Sequence, residues 1–431
     1  MKKIFQNLAI LIYVFLTNLF FIFGYVYMTI RRAQSKETQK SFKQKLAQNF
    51  SSITDTDKKI IWIHAASIGE TYSGLSVAKI ILKHNTEICI LFTTATLSSA
   101  KILKDNANQR IIHQFLPLDV KIFVKKFLNH WSPVLSIFME SEIWPNYYLE
   151  LDRRRIPLYL LNARLSEKSF RRWNKLKILA DRIFSIPKLI SCQDNDTHKR
   201  YKQLGQSNIR LSENIKYANT PLRTNKKEYE YLKNILEKKF IYIAASVHEK
   251  ETELFYNLHK KIQEKYPNTV CIFAPRHTET CNKMISLLDA HDDSWSYLPN
   301  YELKPDHNLL IVNEVGILGT YFELSKIAVI GGSFDKIGGH NPIEAIQKNC
   351  IVLHGENTQN FSDIYVSLDK LKCSFLANDA NLIMQKIEDF IVQPNKTTDI
   401  LENINTIISK KKVVVENEII DILNSELGEI Q

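Results

Sequence analysis

Hydrophobic and polar positions along the chain fall into three textures. From Ile4 to Ile30 no residue is charged, and most are Leu, Ile, Phe, Val or Tyr. As a helix this stretch would reach about 40 Å, enough to cross a bilayer's apolar core with some tilt. Beyond it, short apolar runs alternate with amphipathic stretches. Strands are predicted at 60–66, 87–94, 111–116, 134–139, 157–162 and 188–192. Helices are predicted at 71–84, 97–107, 119–130, 146–155 and 166–184. The stretch 217–230, "YANTPLRTNKKEYE", has no apolar period and reads as a linker. The alternation then restarts, with strands at 240–246, 269–275, 308–312, 327–333 and 350–355. Helices are predicted at 249–265, 278–290, 315–325, 342–348, 359–370 and 380–392, and a mostly helical tail at 397–425. Strand–helix alternation of this kind implies βαβ units and parallel sheets. The expected architecture is α/β: an N-terminal membrane anchor helix (1–32), then two Rossmann-like domains (33–216 and 217–431) facing a cleft.

Charge sharpens the first texture. Lys2 and Lys3 precede the apolar stretch, but Arg31, Arg32, Lys36, Lys40, Lys43 and Lys45 follow it. Two arginines in place of a small-residue cleavage site favour a retained anchor over a signal peptide. The excess after the helix puts the main body on the cytoplasmic side. Asn7, Thr17, Asn18 and several Tyr dilute the run, so a helix lying in one leaflet is the competing reading. The 431 residues carry a net charge of +11, which suits anionic lipid, phosphorylated substrates or nucleic acid. The six cysteines form no C-x-x-C pair, so neither a zinc site nor a disulfide framework is expected.

Candidate chemistry clusters just after the predicted strands, where α/β folds bind ligands. "IWIHAASIGET" (61–71) places Glu70 in a strand-to-helix turn. A carboxylate there is either a first-turn residue that meets the helix dipole, with Ser67 or Gly69 as the cap, or a general base. "FMESEIWPN" brings Glu140 and Glu142 to a strand end, and "NARLSEKS" brings Arg164. "AASVHEKE" supplies His248 and "APRHTE" supplies Arg276 and His277. Four of the chain's 12 glycines fall in "GGSFDKIGGHNPIEA". There Asn341 is placed to cap and Pro342 to open a helix whose N–H groups suit a phosphate, with Glu344 one turn in. The planar fork of Arg276 suits the same anion. "DND" at 194–196 reads as a helix cap rather than a metal site, and no metal or other cofactor is expected.

The strings "HAASIGE", "MESEIWPN", "NARLSEKS", "ENIKY", "AASVHEKE", "APRHTE" and "GGSFDKIGGHNPIEA" occur in this order over nearly the whole chain. Together they resemble the 3-deoxy-D-manno-octulosonic acid (Kdo) transferases that decorate lipid A. The resemblance implies a GT-B glycosyltransferase fold, CMP-Kdo as donor and a lipid A precursor (lipid IVA) as acceptor, in lipopolysaccharide inner-core synthesis at the cytoplasmic face of a Gram-negative inner membrane. It implies no cofactor and no nucleic-acid partner. On it, Glu70 falls at the catalytic base, and Glu140 and Lys216 at positions that stabilise the transition state. Pro275, Arg276, Val315, Gly316, Ile317, Asn341, Pro342, Ile343 and Glu344 fall on CMP-binding stretches. Ile317 stands where the family often has an acidic residue.

The implied reaction is an inverting transfer. Glu70 takes the proton of a sugar hydroxyl as it attacks the anomeric carbon, and CMP leaves from the opposite face. The basic run Arg164, Lys168, Arg171, Arg172, Lys175 and Lys177, with Phe170 and Trp173 inside it, is either a solvated helix face or a contact for lipid phosphates of acceptor or membrane. Two alternatives use the same pattern: a membrane-associated glycosyltransferase with another nucleotide sugar, and a basic membrane-tethered binding protein.

Overall fold

The computed structural model describes residues 2–52, 58–291, 293–299, 303–304, 306–314 and 316–428. Two compact units result: residues 1–219 with 411–431, and residues 220–410. The first contains a seven-stranded parallel sheet: β1 (Lys59–His64), β2 (Ile88–Thr94), β3 (Ile111–Phe115), β4 (Leu135–Met139), β5 (Leu158–Ala163), β6 (Leu189–Cys192) and β7 (Ile209–Leu211), in the order β3-β2-β1-β4-β5-β6-β7. The second contains another: β8 (Phe240–Val247), β9 (Thr269–Pro275), β10 (Trp295–Leu298), β11 (Leu309–Val312), β12 (Ile327–Ile330), β13 (Ile351–His354) and β14 (Ser374–Leu376), in the order β10-β11-β9-β8-β12-β13-β14. In both sheets the chain reverses direction of growth beside the first strand. That switch point is where α/β sheets bind ligands.

The central strands are buried almost end to end and mostly apolar because helices cover both faces. In the first unit Trp62, Phe127, Phe138 and Tyr147 pack ring to ring on one side of the sheet. Ile61, Ile63, Ile90 and Phe92 face a second core. The long helix Pro394–Leu427 contributes Val415, Ile419, Ile422 and Leu423 to that second core. Its end therefore belongs to the first unit, although in sequence it follows the second. The predicted linker also shortens: Asn225 caps a helix, Lys226–Ile235, inside it.

The N-terminal apolar stretch is one 32-residue helix, Lys2–Ala33. Among the described residues no single helix is long and apolar enough to cross a membrane. Only the pair Ile4–Leu19 and Phe23–Ala33, bent by 45°, has the length and composition together. The expected spanning anchor is not supported. One side of this helix is occupied by the first unit: Ala9, Ile10 and Tyr13 pack on its core, and Tyr13 Oη donates to Asp119 Oδ2 at 2.8 Å.

Candidate active site

In the first unit, three carboxylates gather at the carboxyl ends of β1 and β4. The helix Ile68–His84 opens directly after β1, with Ser67 as its N-cap. Glu70 Oε2 accepts from the backbone N–H of Ala66 at 2.7 Å and of Ser67 at 3.1 Å, while Ser67 Oγ accepts from the Glu70 N–H at 3.3 Å. That is a capping box. The capping role and the catalytic reading therefore coincide on one side chain. Glu70 is only 8% exposed. Burial, with the negative charges of Glu142 and Glu140 nearby, pushes its pKa up to about 7, against the two backbone hydrogen bonds. A carboxylate that titrates near neutrality is matched to taking a proton from a hydroxyl.

Glu142 differs from Glu70 in its partners. Burial pushes its pKa up, but His64 Nε2 at 2.9 Å and Trp144 Nε1–H at 2.7 Å more than offset that and hold it below the ordinary carboxylate value. His64 is fully buried at the end of β1, with Nδ1 at 2.9 Å from Thr93 Oγ1 on β2. Glu140 and Asn162 both take left-handed backbone angles, φ 50° and 53°, at the ends of β4 and β5. Non-glycine residues in that region are uncommon and concentrate at functional sites. Asn162 Oδ1 accepts from the Ile215 N–H at 3.0 Å, which ties β5 to the 3₁₀ turn Ile215–Ala218. That turn aims Lys216 Nζ to 3.4 Å from Glu140 Oε1. Glu70, Glu140 and Lys216, far apart in sequence, are thus brought to one edge of one sheet. His64, Glu142 and Asn162 join them. Glu142 is expected at this strand end from the sequence; His64 and Asn162 lie inside the strings that mark the region, yet nothing in their spacing separates them from ordinary strand-end residues.

Arg164 reaches this edge through its backbone: its N–H donates to Glu140 O at 3.2 Å, and its O accepts from Ser141 Oγ at 2.9 Å. Arg171 and Arg172 lie farther along, on the helix Glu167–Lys175, which buries none of its residues. Arg171 pairs with Glu167 on that exposed face at 2.8 Å. "DND" is a helix cap: Asp194 accepts from the Thr197 N–H at 2.6 Å. Among the described residues no group of three or more His, Cys, Asp or Glu is placed to hold a metal ion.

The second unit gathers cationic and imidazole groups at the ends of β8, β9 and β12. Arg276 is exposed just past β9, its N–H bonded to Val247 O at 2.8 Å, and Pro275 is the last residue of β9, half-buried. His248 Nε2 and His340 Nε2 are 2.8 Å apart in near-parallel rings, and His277 stands edge-on to His248. Burial, then the charge of Arg276, lowers the His340 pKa to about 4. The glycine stretch is pinned from below by Glu251. Its carboxylate accepts from the N–H of His248, Gly332 and Phe334 at 3.0, 2.8 and 3.0 Å. Gly331 lies so close to β8 that a Cβ there would meet Ser246 O at 2.6 Å. Glu251 ends the string "AASVHEKE", and its three-residue spacing from His248 is the sequence signal for this role.

One expectation for this stretch fails. The helix predicted from Pro342 is a single turn, Ile343–Ile346, with Pro342 at its N-cap position. Asn341 Oδ1 accepts from the Ile343 N–H at 3.2 Å, and its amide reaches Glu344 Oε1 at 3.3 Å. One turn sums few peptide dipoles, so Arg276 rather than a helix field is the main attraction for an anion here. Gly316 (φ 91°) and Ile317 precede the helix Leu318–Leu324, and Val315 lies outside the described residues.

Residues 38–219 match the family model of 3-deoxy-D-manno-octulosonic-acid transferase (kdotransferase). A 3-deoxy-D-manno-octulosonic acid transferase from Rickettsia bellii is 33% identical over 90% of this chain and 92% of its own length. The chain belongs to the Kdo transferase family. A relative from Haemophilus influenzae, of the same name, is 31% identical over 80% of this chain and 81% of its own. In fold, the chain resembles a glycosyltransferase from Rickettsia africae, with a TM-score of 0.59 at 12% identity over 87% of this chain and all of that one. The protein is a glycosyltransferase of the Kdo transferase family, with two parallel sheets and GT-B-like structural neighbours.

Proposed function

We propose that this enzyme transfers Kdo from CMP-Kdo to a lipid A precursor with inversion, using Glu70 as general base. The observation that carries this reading is Glu70 itself: a buried carboxylate at the end of β1, titrating at about 7 beside Glu140 and Glu142. The acceptor hydroxyl gives its proton to Glu70 as its oxygen bonds the anomeric carbon of Kdo. The bond from that carbon to the CMP phosphate oxygen breaks, and its electron pair leaves with CMP. A single displacement of this kind inverts the configuration. Lys216 neutralises Glu140, so the edge is not left with three uncompensated negative charges. The charge on the departing phosphate suits Arg276 and the glycine stretch 331–339, with Gly316, Ile317, Ile343 and Glu344 as further donor contacts. Transfer takes place at the cytoplasmic face of the inner membrane, a reading supported by the apolar helix and the basic residues that follow it.

Incubation with CMP-Kdo and lipid IVA, followed by mass spectrometry, tests the reading. An acceptor heavier by whole Kdo residues is expected. An unchanged acceptor with folded protein and intact substrates would overturn it, and UDP-sugars would be the next donors to try.

A further inference from the structure

The N-terminal helix is attached to the first unit along most of its length. Tyr13 bonds Asp119, and Asn146 Nδ2 donates to Thr17 Oγ1 at 3.1 Å. Further along, Phe21 meets Phe123 edge-on at 5.3 Å, and Gly24 lies against Leu118. Met28 is buried among Phe42, Leu46, Val120 and Phe123, and Arg31 Nε pairs with Glu37 at 3.0 Å. From Ala9 to Arg31 these attachments run along about 33 Å of helix, as much as the whole thickness of a hydrocarbon core. A helix crossing the bilayer would drag Asp119, Asn146 and Glu37 into hydrocarbon, where unsolvated polar groups cost several kcal/mol each.

The opposite face is uncovered and apolar. Leu8, Leu11, Phe15, Leu19, Phe23 and Val26 recur every three or four residues and are each more than half exposed, Phe15 at 66%. Cations border the same region. Arg31 and Arg32 close the helix, and Lys121 and Lys125 line a surface cavity of about 480 Å³ beside Asn18, Phe21 and Ile122. Apolar side chains flanked by cations fit one surface, the acyl–headgroup boundary of an anionic leaflet.

We propose that the N-terminal helix lies flat in one leaflet of an anionic membrane, outer face in the acyl region, inner face clamped to the first unit, without crossing the bilayer. This rests on the membrane siting proposed above and specifies its geometry. It places the carboxylate edge of the first unit at a fixed height over the bilayer, rather than at the end of a flexible tether.

The test uses full-length protein on phosphatidylethanolamine–phosphatidylglycerol vesicles. All six native cysteines are buried, so single cysteines at Leu11, Phe15 and Ala9 can carry a depth-reporting fluorophore. Leu11→Cys and Phe15→Cys labels are expected about 5–10 Å below the headgroups, and Ala9→Cys shielded from lipid quenchers. Ile4→Cys and Ile30→Cys should both react with an impermeant thiol reagent added outside. Leu11→Glu with Phe15→Glu should weaken vesicle binding at least tenfold, leaving turnover of a short-chain, detergent-free acceptor unchanged. Ile4 protected while Ile30 reacts, with labels near the bilayer centre, would show a spanning helix and overturn the proposal. A lipid-independent dimer that shields Leu11 and Phe15 would also overturn it. No binding to vesicles at all would defeat the membrane siting too, while the mass assay would still report on Kdo transfer by itself.

Discussion

The two sheets do the same geometric work with opposite charge. In each, the first strand of the unit sits at the middle of a parallel sheet, and functional groups collect at the carboxyl ends around it. At β1 and β4 the groups are Glu70, Glu140 and Glu142, with Lys216 as the ion-pair partner of Glu140. At β8, β9 and β12 they are Arg276, His248, His277 and His340. Burial, with the charges of Glu142 and Glu140 nearby, raises the pKa of Glu70, which prepares a base. An exposed guanidinium beside His248 and His340, whose pKa values burial lowers, is suited to an anion. The shared topology fixes where polar groups gather, and in the proposed reaction local charge separates proton transfer at the first sheet from phosphate binding at the second.

Four variants would break or sharpen that contrast, from the largest effect down. Glu70→Gln should lower turnover by about 10²–10⁴, the usual contribution of a general base, with donor affinity unchanged in equilibrium binding. The folded Glu70 pKa lies above its ordinary value, so its contribution to stability is present below about pH 4.5 and lost as pH rises through about 7. Gln, which has no charge to bury, should therefore melt no lower than wild type at pH 8. Near-normal turnover in this variant would remove Glu70 from the base role. Arg276→Ala should act on the other side of the contrast: CMP binding weaker by about 10–100-fold by calorimetry, with the pH dependence of turnover unmoved.

Gly331→Ala tests the glycine stretch. A Cβ at 2.6 Å from Ser246 O must push the backbone apart, so a loss of about 1–3 kcal/mol is expected in denaturant unfolding. Glu142→Gln is the smallest effect. Turnover of wild type should rise with pH through about 7, as Glu70 ionises. Removing the charge of Glu142 should move that midpoint down by about half a unit to one unit. A midpoint that stays put would mean that Glu142 does not tune the base. His340 behaves in the opposite sense. Its lowered pKa stabilises the fold above about pH 6.5 and is lost as pH falls through about 4, so its ring should remain neutral by NMR across the working range.

The amphipathic alternation determined by itself that this is an α/β protein with two parallel sheets, because strands buried on both faces must be continuously apolar. Eleven strands were legible for that reason. The three that were not, β7, β10 and β14, are all sheet edges, half exposed and three or four residues long, so their sequences lack the apolar run. The family resemblance that the short motifs carry also picks out Glu70, Glu140, Lys216 and Arg276. Only the tertiary structure decided the rest. It made Glu70 both a capping residue and a raised-pKa carboxylate, since that depends on neighbours from β4. It singled out His64 and Glu251, whose roles are contacts with strands or loops distant in sequence, and it paired Glu142 with His64. It returned the end of the C-terminal helix to the first unit and packed one side of the N-terminal apolar helix on that unit. Composition reports how apolar a segment is; which of its faces meets protein is a property of the partner surface, and that surface exists only once the chain has folded.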